Sequence, residues 1–391
     1  MANFKYYSPT HIIFGQDEER NVGSIIKNYG FKHILMVYGK SSIFKSGLYD
    51  IVTNSLKEAE ITWVELGGVE ANPKIELCRQ GVAIAKREKV DMILAVGGGS
   101  VVDTAKSIGC GAKVDFDTFK FTTHEEDPKD CLPIGVILTL SAAGSELSNS
   151  CVISDTTIPF KNGFNSDLVR PLFAIEDPVL TNSVSPFQTG CGVVDITMHT
   201  IERYLTDVKP LELVDEIAEG LMRTVMAYGN IAMNNPSDYD ARANLMLASS
   251  FSHNGLTGMS GKMYFTVHKL EHQLSAAFDC VAHGAGLSVL FPAWAEYVCP
   301  KCPTRFAKWA RRCMGVTLDD DTLAGLEGIK RLKEYFKGLP MPTSLSELKI
   351  DIKDSDIEAI AKRITKNDTV TVAGIVNLNK ADVIAIYNLA K

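Results

Sequence analysis

The sequence predicts an N-terminal α/β domain built on a parallel sheet, followed by an all-α C-terminal domain. Two observations lead to this fold class. Short β-rich runs alternate with helical patterns in the first half of the chain, and helical patterns alone follow from Pro186 onwards. At 391 residues the chain is long enough for two domains of ordinary size. We expect residues 1–185 to form the first domain and residues 186–391 the second.

The predicted strands of the first domain are short, apolar and separated by helical segments. We place the strands at 33–39, 62–66, 91–96 and 133–139, and helices at 46–59 and 74–88. A strand–helix–strand rhythm of this kind is typical of a parallel sheet with helices on both faces.

The second domain shows the 3.6-residue periodicity of helices throughout. We place helices at 186–205, 211–234, 241–253, 266–278, 303–313, 323–337 and 355–365. Pro186 suits the first turn of the first of these helices.

Composition and charge exclude several classes of protein. Charged residues make up 22% of the chain, the net charge is −7, and acids and bases are mixed along it. Nucleic-acid binding, which needs a basic stripe, is not expected. We see no apolar run of the roughly 20 residues that a membrane span requires, and no signal peptide. The nine cysteines are odd in number and scattered, which favours the reducing cytoplasm. Partners are expected to be small molecules or copies of the chain itself.

A glycine-rich run marks the end of one predicted strand. Gly97, Gly98 and Gly99 follow the apolar run, and a helix is predicted from Ser100. Glycines let the backbone approach a diphosphate closely, and the N–H groups at a helix start bind its negative charge. The alternative is that Ser100 and Asp103 only form a capping box.

Two other strand ends bear on nucleotide binding. Residues 139–146 leave the carboxyl end of a strand, which is where open α/β sheets bind ligands. The first strand ends in Gly39, Lys40, Ser41 and Ser42. An NAD-selective enzyme often has a carboxylate at this point for the ribose 2′-hydroxyl, whereas a lysine and two hydroxyls suit a 2′-phosphate. This strand end favours NADP(H) over NAD(H).

Histidines in the second domain have the spacing of metal ligands. Asp195 and His199 lie one helical turn apart, His268 and His272 repeat that spacing, and His283 follows in a short glycine-containing loop. Three imidazoles and one carboxylate suit Fe(II) or Zn(II) acting as a Lewis acid. The spacing leaves open which three of the histidines bind, and Asp195 could instead pair with Arg203.

The glycine-rich run and the spacing of the histidines, together with other short motifs, resemble those of the iron-containing alcohol dehydrogenase family, particularly its NADPH-dependent butanol dehydrogenase branch. The resemblance covers essentially the whole chain. Its blocks are Tyr38-Gly39, Ser46-Gly47-Leu48, Asn72-Pro73, Gly97 to Lys106, Ala143 to Glu146, Asp177-Pro178, Gly192 to Tyr204, His268 to Ser275, His283 to Leu287 and Phe291 to Trp294. Lys40 departs from the branch, which often has a small residue there.

The resemblance implies roles for individual residues. Asp195, His199, His268 and His283 would hold Fe²⁺, with Zn²⁺ as the alternative, and His272 would relay a proton near the substrate. The implied cofactor contacts are Gly39, Ser41, Ser42, Asn72, Gly97, Gly98, Gly99, Ser100, Asp103, Thr139 and Lys161. Of these, Gly97 to Ser100 and Asp103 would contact the diphosphate, and Thr139 and Lys161 the nicotinamide side. A homodimer is implied.

The predicted function is reversible hydride transfer between NADP(H) and a primary alcohol or aldehyde such as butanol or butanal. Two related alternatives are an NAD-dependent, glycerol-type polyol dehydrogenase and a lyase similar to dehydroquinate synthase. A non-catalytic scaffold that binds metal and nucleotide is a third. The segments that carry His268 and His283 are mostly apolar, which favours simple aldehydes over acidic sugar phosphates.

Overall fold

The structure is a computed structural model that describes residues 3–208, 210–259 and 261–391. Two compact units make up this part of the chain. The α/β unit comprises Tyr7–Val184 and Pro236–Asn254, and the helical unit comprises Ser185–Asn235, Gly255–Lys391 and residues 3–6. The segment Pro236–Asn254 therefore packs with the α/β unit although it lies far along the chain from the rest of it.

The strands found among the described residues lie in the α/β unit. They are β1 (His11–Phe14), β2 (His33–Tyr38), β3 (Thr62–Leu66), β4 (Met92–Gly97), β5 (Ile134–Leu138), β6 (Ser150–Asp155), β7 (Phe160–Asn165) and β8 (Phe173–Glu176). Six of them form a parallel sheet in the order β1-β8-β5-β4-β2-β3, and β6 and β7 form an antiparallel hairpin. The predicted fold class is confirmed.

The helices, in chain order, are α1 (Val22–Asn28), α2 (Ser42–Lys45), α3 (Leu48–Glu58), α4 (Ile75–Glu88), α5 (Gly99–Gly111), α6 (Phe119–Thr122), α7 (Pro186–Tyr204), α8 (Glu212–Asn234), α9 (Tyr239–His253), α10 (Thr266–Ala277), α11 (His283–Val298), α12 (Pro303–Cys313), α13 (Asp321–Gly338), α14 (Asp354–Ile364) and α15 (Lys380–Leu389). The helices from α10 to α15, with α7 and α8, belong to the helical unit.

The parallel sheet is buried on both faces, and this explains its sequence pattern. Leu35 and Val37 of β2 pack into one apolar cluster, whereas Ile34 and Met36 pack into a second. Because both faces of a parallel sheet are covered by helices, its strands are continuous apolar runs rather than alternating ones. In this sheet, an uninterrupted run of apolar residues therefore indicates a central strand.

The strand order contains one reversal that matters for ligand binding. From β2 the chain moves outward to β3, and it then returns to place β4 on the other side of β2. Ligands of open α/β sheets bind beyond the carboxyl ends of the strands at such a switch point. The chain leaves the sheet there after β2, at Gly39, and after β4, where Gly97 ends the strand and Gly99 begins α5.

The expectation that His283 lies in a short loop is wrong, because His283 is the first residue of α11. Two features hid this helix. Pro292 lies inside it, and apolar residues cover its whole circumference, so it has no amphipathic stripe. Gly284 is required by close packing, since a Cβ there would lie 2.4 Å from the backbone oxygen of Cys191 on α7.

No helix in the described ranges is both long enough and apolar enough to span a membrane. All nine cysteines are free thiols.

Two buried carboxyl groups in the α/β unit share one hydroxyl. The Ser250 Oγ on α9 lies 2.6 Å from Glu146 Oε1 and 2.7 Å from Glu176 Oε1. A hydroxyl has a single hydrogen to donate, so both contacts are satisfied only when one carboxyl group carries a proton. Burial and the neighbouring Glu146 raise the pKa of Glu176 to about 8. Burial also raises the pKa of Glu146.

This pair predicts that stability falls as the pH rises from about 4.5 to about 8. The unfolded Glu176 loses its proton near its ordinary pKa of 4.5, whereas the folded one keeps it to about 8. Between these values the folded state binds more protons, so the free energy of unfolding falls by up to about 1.4 kcal/mol per pH unit as the pH rises. The change E176Q needs no proton and should flatten this slope in urea unfolding. The exposed change E58Q is the control, and equal slopes in E176Q and the wild type would refute the shared proton.

Candidate metal centre and nucleotide-binding loops

Helix α7 carries the first two predicted metal ligands. It begins after Ser185, whose side chain accepts a hydrogen bond from the Gln188 N–H, and its interior from Gly192 to Tyr204 is buried. Asp195 and His199 lie one turn apart, with His199 Nδ1 3.5 Å from Asp195 Oδ1. The alternative partner of Asp195 is engaged elsewhere, because the Arg203 guanidinium donates to the His199 backbone oxygen at 2.7 Å and lies over the Phe265 ring.

Helices α10 and α11 bring two more imidazoles to the same carboxylate oxygen. His268 Nε2 lies 3.5 Å from Asp195 Oδ1, and His283 Nε2 lies 3.7 Å from it. The side chains of Asp195, His199 and His268 are almost completely buried, whereas that of His283 is 26% exposed. The four residues predicted as ligands are therefore brought together, and the cluster is most open at His283.

Two buried glutamates hold the imidazoles from behind. Glu202 accepts from the backbone N–H groups of Val267 (2.6 Å) and His268 (3.2 Å), and it also contacts His268 Nδ1. Glu271, which is fully buried, contacts His283 Nδ1 in the same way. A carboxylate on Nδ1 fixes the imidazole tautomer and turns the Nε2 lone pair toward a metal. Both Nε2 atoms point to Asp195.

The donor set fits a divalent cation. Among the described residues, Asp195 Oδ1 and His268 Nε2 are buried and make no hydrogen bond, although buried polar atoms normally do. Burial alone would lower the pKa of His268, but the charge of Glu202 and contact with Asp195 raise it to about 9. Positive charge is thus strongly stabilised at this point, and imidazole and carboxylate donors suit Fe(II) or Zn(II).

His272 lies one turn beyond His268 and at the more open side of the cluster. Its ring centroid is 5.6 Å from that of His283 and 6.5 Å from that of His268. Potential ligand atoms of Glu271, His272 and His283 also lie within 4.8 Å of one another. His272 is thus placed beside the predicted ligands, where either proton transfer or ligation is open to it.

Sequence reasoning missed Glu202 and Glu271. Each follows a predicted ligand by three residues, at His199 and His268, and so lies on the neighbouring turn of the same helix. A glutamate at that spacing from a candidate ligand is the signal that could have found them.

The glycine-rich loop lies between β4 and α5 in the α/β unit. A Cβ on Gly98 would lie 3.0 Å from Leu140 Cβ, and one on Gly99 2.9 Å from Ala143 Cβ, so neither site has room for a side chain. The helix begins at Gly99 with Gly98 as its N-cap, one residue before Ser100. The Thr139 N–H donates to the Gly97 oxygen at 3.1 Å, which holds the loop after β5 against this one.

Asp103 points into the protein rather than forming a capping box. It accepts from the Ser145 hydroxyl at 2.6 Å and from the Val152 N–H at 3.0 Å. Below it, the fully buried Lys106 ammonium donates to the Ser145 and Ser148 backbone oxygens at 2.7 and 3.0 Å. Asp103 therefore connects the glycine-rich helix to the loop that contains Ser145.

Lys161 and Asn72 are direct partners. The buried Lys161 ammonium on β7 donates to Asn72 Oδ1 at 3.0 Å, and Asn72 adopts a left-handed backbone conformation with φ of 53°. The remaining predicted contacts, Gly39, Ser41 and Ser42, follow β2. All these positions except Lys161 lie at or after the carboxyl ends of strands of the parallel sheet, or on α5. Their roles as cofactor contacts stay predictions.

Comparison with known proteins identifies the class. A family model described as iron-containing alcohol dehydrogenase matches residues 9–178, and one for the C-terminal domain of the Fe-containing alcohol dehydrogenase family matches residues 189–390. The class is therefore an oxidoreductase that acts on CH–OH groups and interconverts alcohols and aldehydes. The chain belongs to the iron-containing alcohol dehydrogenase family.

Individual relatives agree with this assignment. The chain is 39% identical to NADH-dependent butanol dehydrogenase A of Clostridium acetobutylicum over 99% of both proteins. It is 34% identical to the NADPH-dependent aldehyde reductase YqhD of Escherichia coli over 94% of both. The crystal structure of NADH-dependent butanol dehydrogenase A from Thermotoga maritima superposes with a TM-score of 0.95 at 36% identity, covering 100% of this chain and 99% of that one.

The glutamate behind His268 yields a prediction about metal affinity. Glu202 contacts three N–H groups, which are the backbone N–H of Val267 and the backbone N–H and ring Nδ1–H of His268. In E202Q an amide NH₂ replaces one acceptor oxygen and faces one of these N–H groups, so the imidazole of His268 loses its fixed orientation. We expect Fe(II) or Zn(II) to bind about 10- to 100-fold more weakly, measured by competition with a chelating dye.

The matched control is E219Q, which changes a buried glutamate of the same unit that accepts from Tyr204 and Arg312 instead of a histidine. Wild-type affinity in E202Q, or an equal loss in E219Q, would contradict a specific role for Glu202.

Proposed function

We propose that this enzyme reduces a short aliphatic aldehyde such as butanal to its primary alcohol, and catalyses the reverse oxidation, with Fe²⁺ at Asp195, His199, His268 and His283. The observation that carries this proposal is the convergence of three imidazoles on Asp195 Oδ1, within 3.7 Å. The ligand set also suits Zn²⁺.

In the proposed reaction, the helical unit holds the metal and moves the proton, and the α/β unit binds the nucleotide. A bound ferrous ion supplies Lewis acidity at the substrate oxygen, and a bound nicotinamide supplies hydride transfer. Glu202 and Glu271 hold the protons on Nδ1 of His268 and His283, which keeps both Nε2 atoms available as ligands. His272 holds and moves the proton of the substrate hydroxyl. In the α/β unit, the loop from Gly97 to Ser100 binds the diphosphate.

The segment beside the proposed ligands favours an apolar substrate. After His283, helix α11 is mostly aliphatic and aromatic, with Glu296 as its one charged residue and no Lys or Arg before its end at Val298. A lyase acting on an acidic sugar phosphate needs cations close to the metal to bind the phosphate. An aliphatic aldehyde has no such requirement.

We further propose that the enzyme works as a cytoplasmic homodimer. Nine free thiols suit a reducing compartment. The strands β1 and β3 are the two edges of the parallel sheet, and an edge strand is a natural site for pairing with a second copy. Light scattering on the purified protein tests the dimer.

Loss of a ligand should remove metal and activity together. In H199A and H268A we expect no bound metal and no oxidation of NADH or NADPH with butanal, measured on protein purified without oxygen and reconstituted with Fe(II). The control is H11A, which removes an exposed histidine of the α/β unit and should keep both properties. A metal-free H268A protein with full activity would refute the proposed site.

His272 should behave differently from the four ligands. Because it is proposed to move a proton, H272N should keep its metal while kcat falls by about 10²-fold or more and the pH–rate profile changes. Metal content and kcat are measured on the same sample. Loss of metal in H272N would show that His272 is a ligand, and an unchanged pH–rate profile would show that it does not relay the proton.

A further inference from the structure

A positive and a negative side chain lie together just beyond the ends of β2 and β3. The sequence around β2 alone shows only the positive one. These neighbouring parallel strands stay paired beyond their last residues, since the Gly68 N–H donates to the Gly39 oxygen at 2.8 Å and the Val69 N–H to the Tyr38 oxygen at 3.2 Å. The residues that follow this pairing are Lys40 and Glu70. The Lys40 ammonium lies 2.5 Å from Glu70 Oε1.

The position of this ion pair gives it access to a nucleotide. It follows β2 at the switch point between β2 and β4, where the ribose of a dinucleotide lies in open α/β folds. The Lys40 and Glu70 side chains remain 66% and 51% exposed, so a ligand can reach both. Ser41 and Ser42 follow directly along the chain.

The ion pair changes the charge that a bound nucleotide would meet at the end of β2. A 2′-phosphate carries nearly two negative charges, so it must displace Glu70 from Lys40 and remain close to a carboxylate. A ribose 2′-hydroxyl meets no such repulsion, and it can donate a hydrogen bond to the same carboxylate.

We propose that Glu70 is a specificity-determining residue that neutralises Lys40 and makes the site favour NAD(H) over NADP(H). This inference rests on the proposed nucleotide site, and it replaces the NADP(H) preference expected from Lys40, Ser41 and Ser42. The carboxylate comes from the loop after β3 rather than from the end of β2.

The test measures binding of two fragments, 5′-AMP and 2′,5′-ADP, to the full-length protein by calorimetry, so no turnover is needed. Wild type should bind 5′-AMP more tightly than the doubly phosphorylated fragment. In E70Q, 2′,5′-ADP should bind about two- to fivefold more tightly, because Lys40 is released from an exposed ion pair. The affinity for 5′-AMP should stay level or weaken slightly. The gain should shrink as ionic strength rises.

Two further variants make the result specific. The double variant K40M/E70Q should lose the gain in 2′,5′-ADP affinity, because the gain requires the freed ammonium. The matched control is E60Q, since Glu60 also forms an exposed ion pair, with Lys27 at 3.2 Å, and its removal changes the net charge equally. E60Q should leave both affinities unchanged.

The outcomes separate the two proposals. If wild type binds 5′-AMP but E70Q leaves the affinity ratio unchanged, or if K40M/E70Q keeps the gain, the role of Glu70 is refuted while the nucleotide site stands. If wild type binds neither fragment, the proposed nucleotide site itself is overturned. A rise of about two- to fivefold in the NADPH to NADH ratio of kcat/KM in E70Q would support the binding result in the working enzyme.

Discussion

The helical unit depends on burying three carboxylates around a single point. Asp195, Glu202 and Glu271 are each almost fully buried, and burying a charge without compensation is very costly. The imidazoles satisfy part of this demand, and a divalent cation held by the proposed ligands would satisfy the rest. The packing of the unit follows from it: α11 approaches α10 closely enough that a Cβ on Gly286 would lie 2.8 Å from Glu271 Cγ. The residues around the proposed metal site are therefore also part of the packed interior of this unit.

The α/β unit applies the same principle with a protein cation in place of a metal. Lys106 is fully buried, and it is satisfied by backbone and hydroxyl oxygens of Ser145 and Ser148 and by the backbone oxygen of Ser150. Asp103, one turn earlier on α5, accepts a hydrogen bond from the Ser145 hydroxyl. The loop after β5, which contains Ser145 and Ser148, is thus attached to α5, the helix that follows the glycine-rich run. Such attachment keeps loop backbone in a fixed geometry, which a diphosphate site requires because its donors are mainly backbone N–H groups.

Local sequence predicted those elements whose pattern is local. The strand at 62–66 and the helix at 303–313 were predicted to the residue, since each has a continuous run or an amphipathic face with clear ends. The short edge strand β1, the hairpin β6–β7 and the helix α11 were not predicted. Edge strands and hairpins depend on partners that are distant in sequence. Helix α11 is apolar on all sides, so its sequence lacks the 3.6-residue alternation of apolar and polar residues that marks a helix. Helical spacing predicted the pair Asp195 and His199, and the resemblance to the family added His268 and His283. The glutamates behind the imidazoles lie at helical spacing too, but which imidazole each one contacts follows only from three-dimensional packing.

The charge at the end of β2 shows why one strand considered alone gives an incomplete prediction of nucleotide preference. Lys40, Ser41 and Ser42 are adjacent in sequence, and together they indicate a site for a phosphate. In a parallel sheet, however, the charge at a strand end is the sum over neighbouring strand ends, which lie about 5 Å apart. Glu70 is thirty residues away along the chain and in direct contact with Lys40 in the fold. Charge at the carboxyl edge of such a sheet is therefore a property of strand order, and it can be inferred from sequence only after the neighbours of each strand are known.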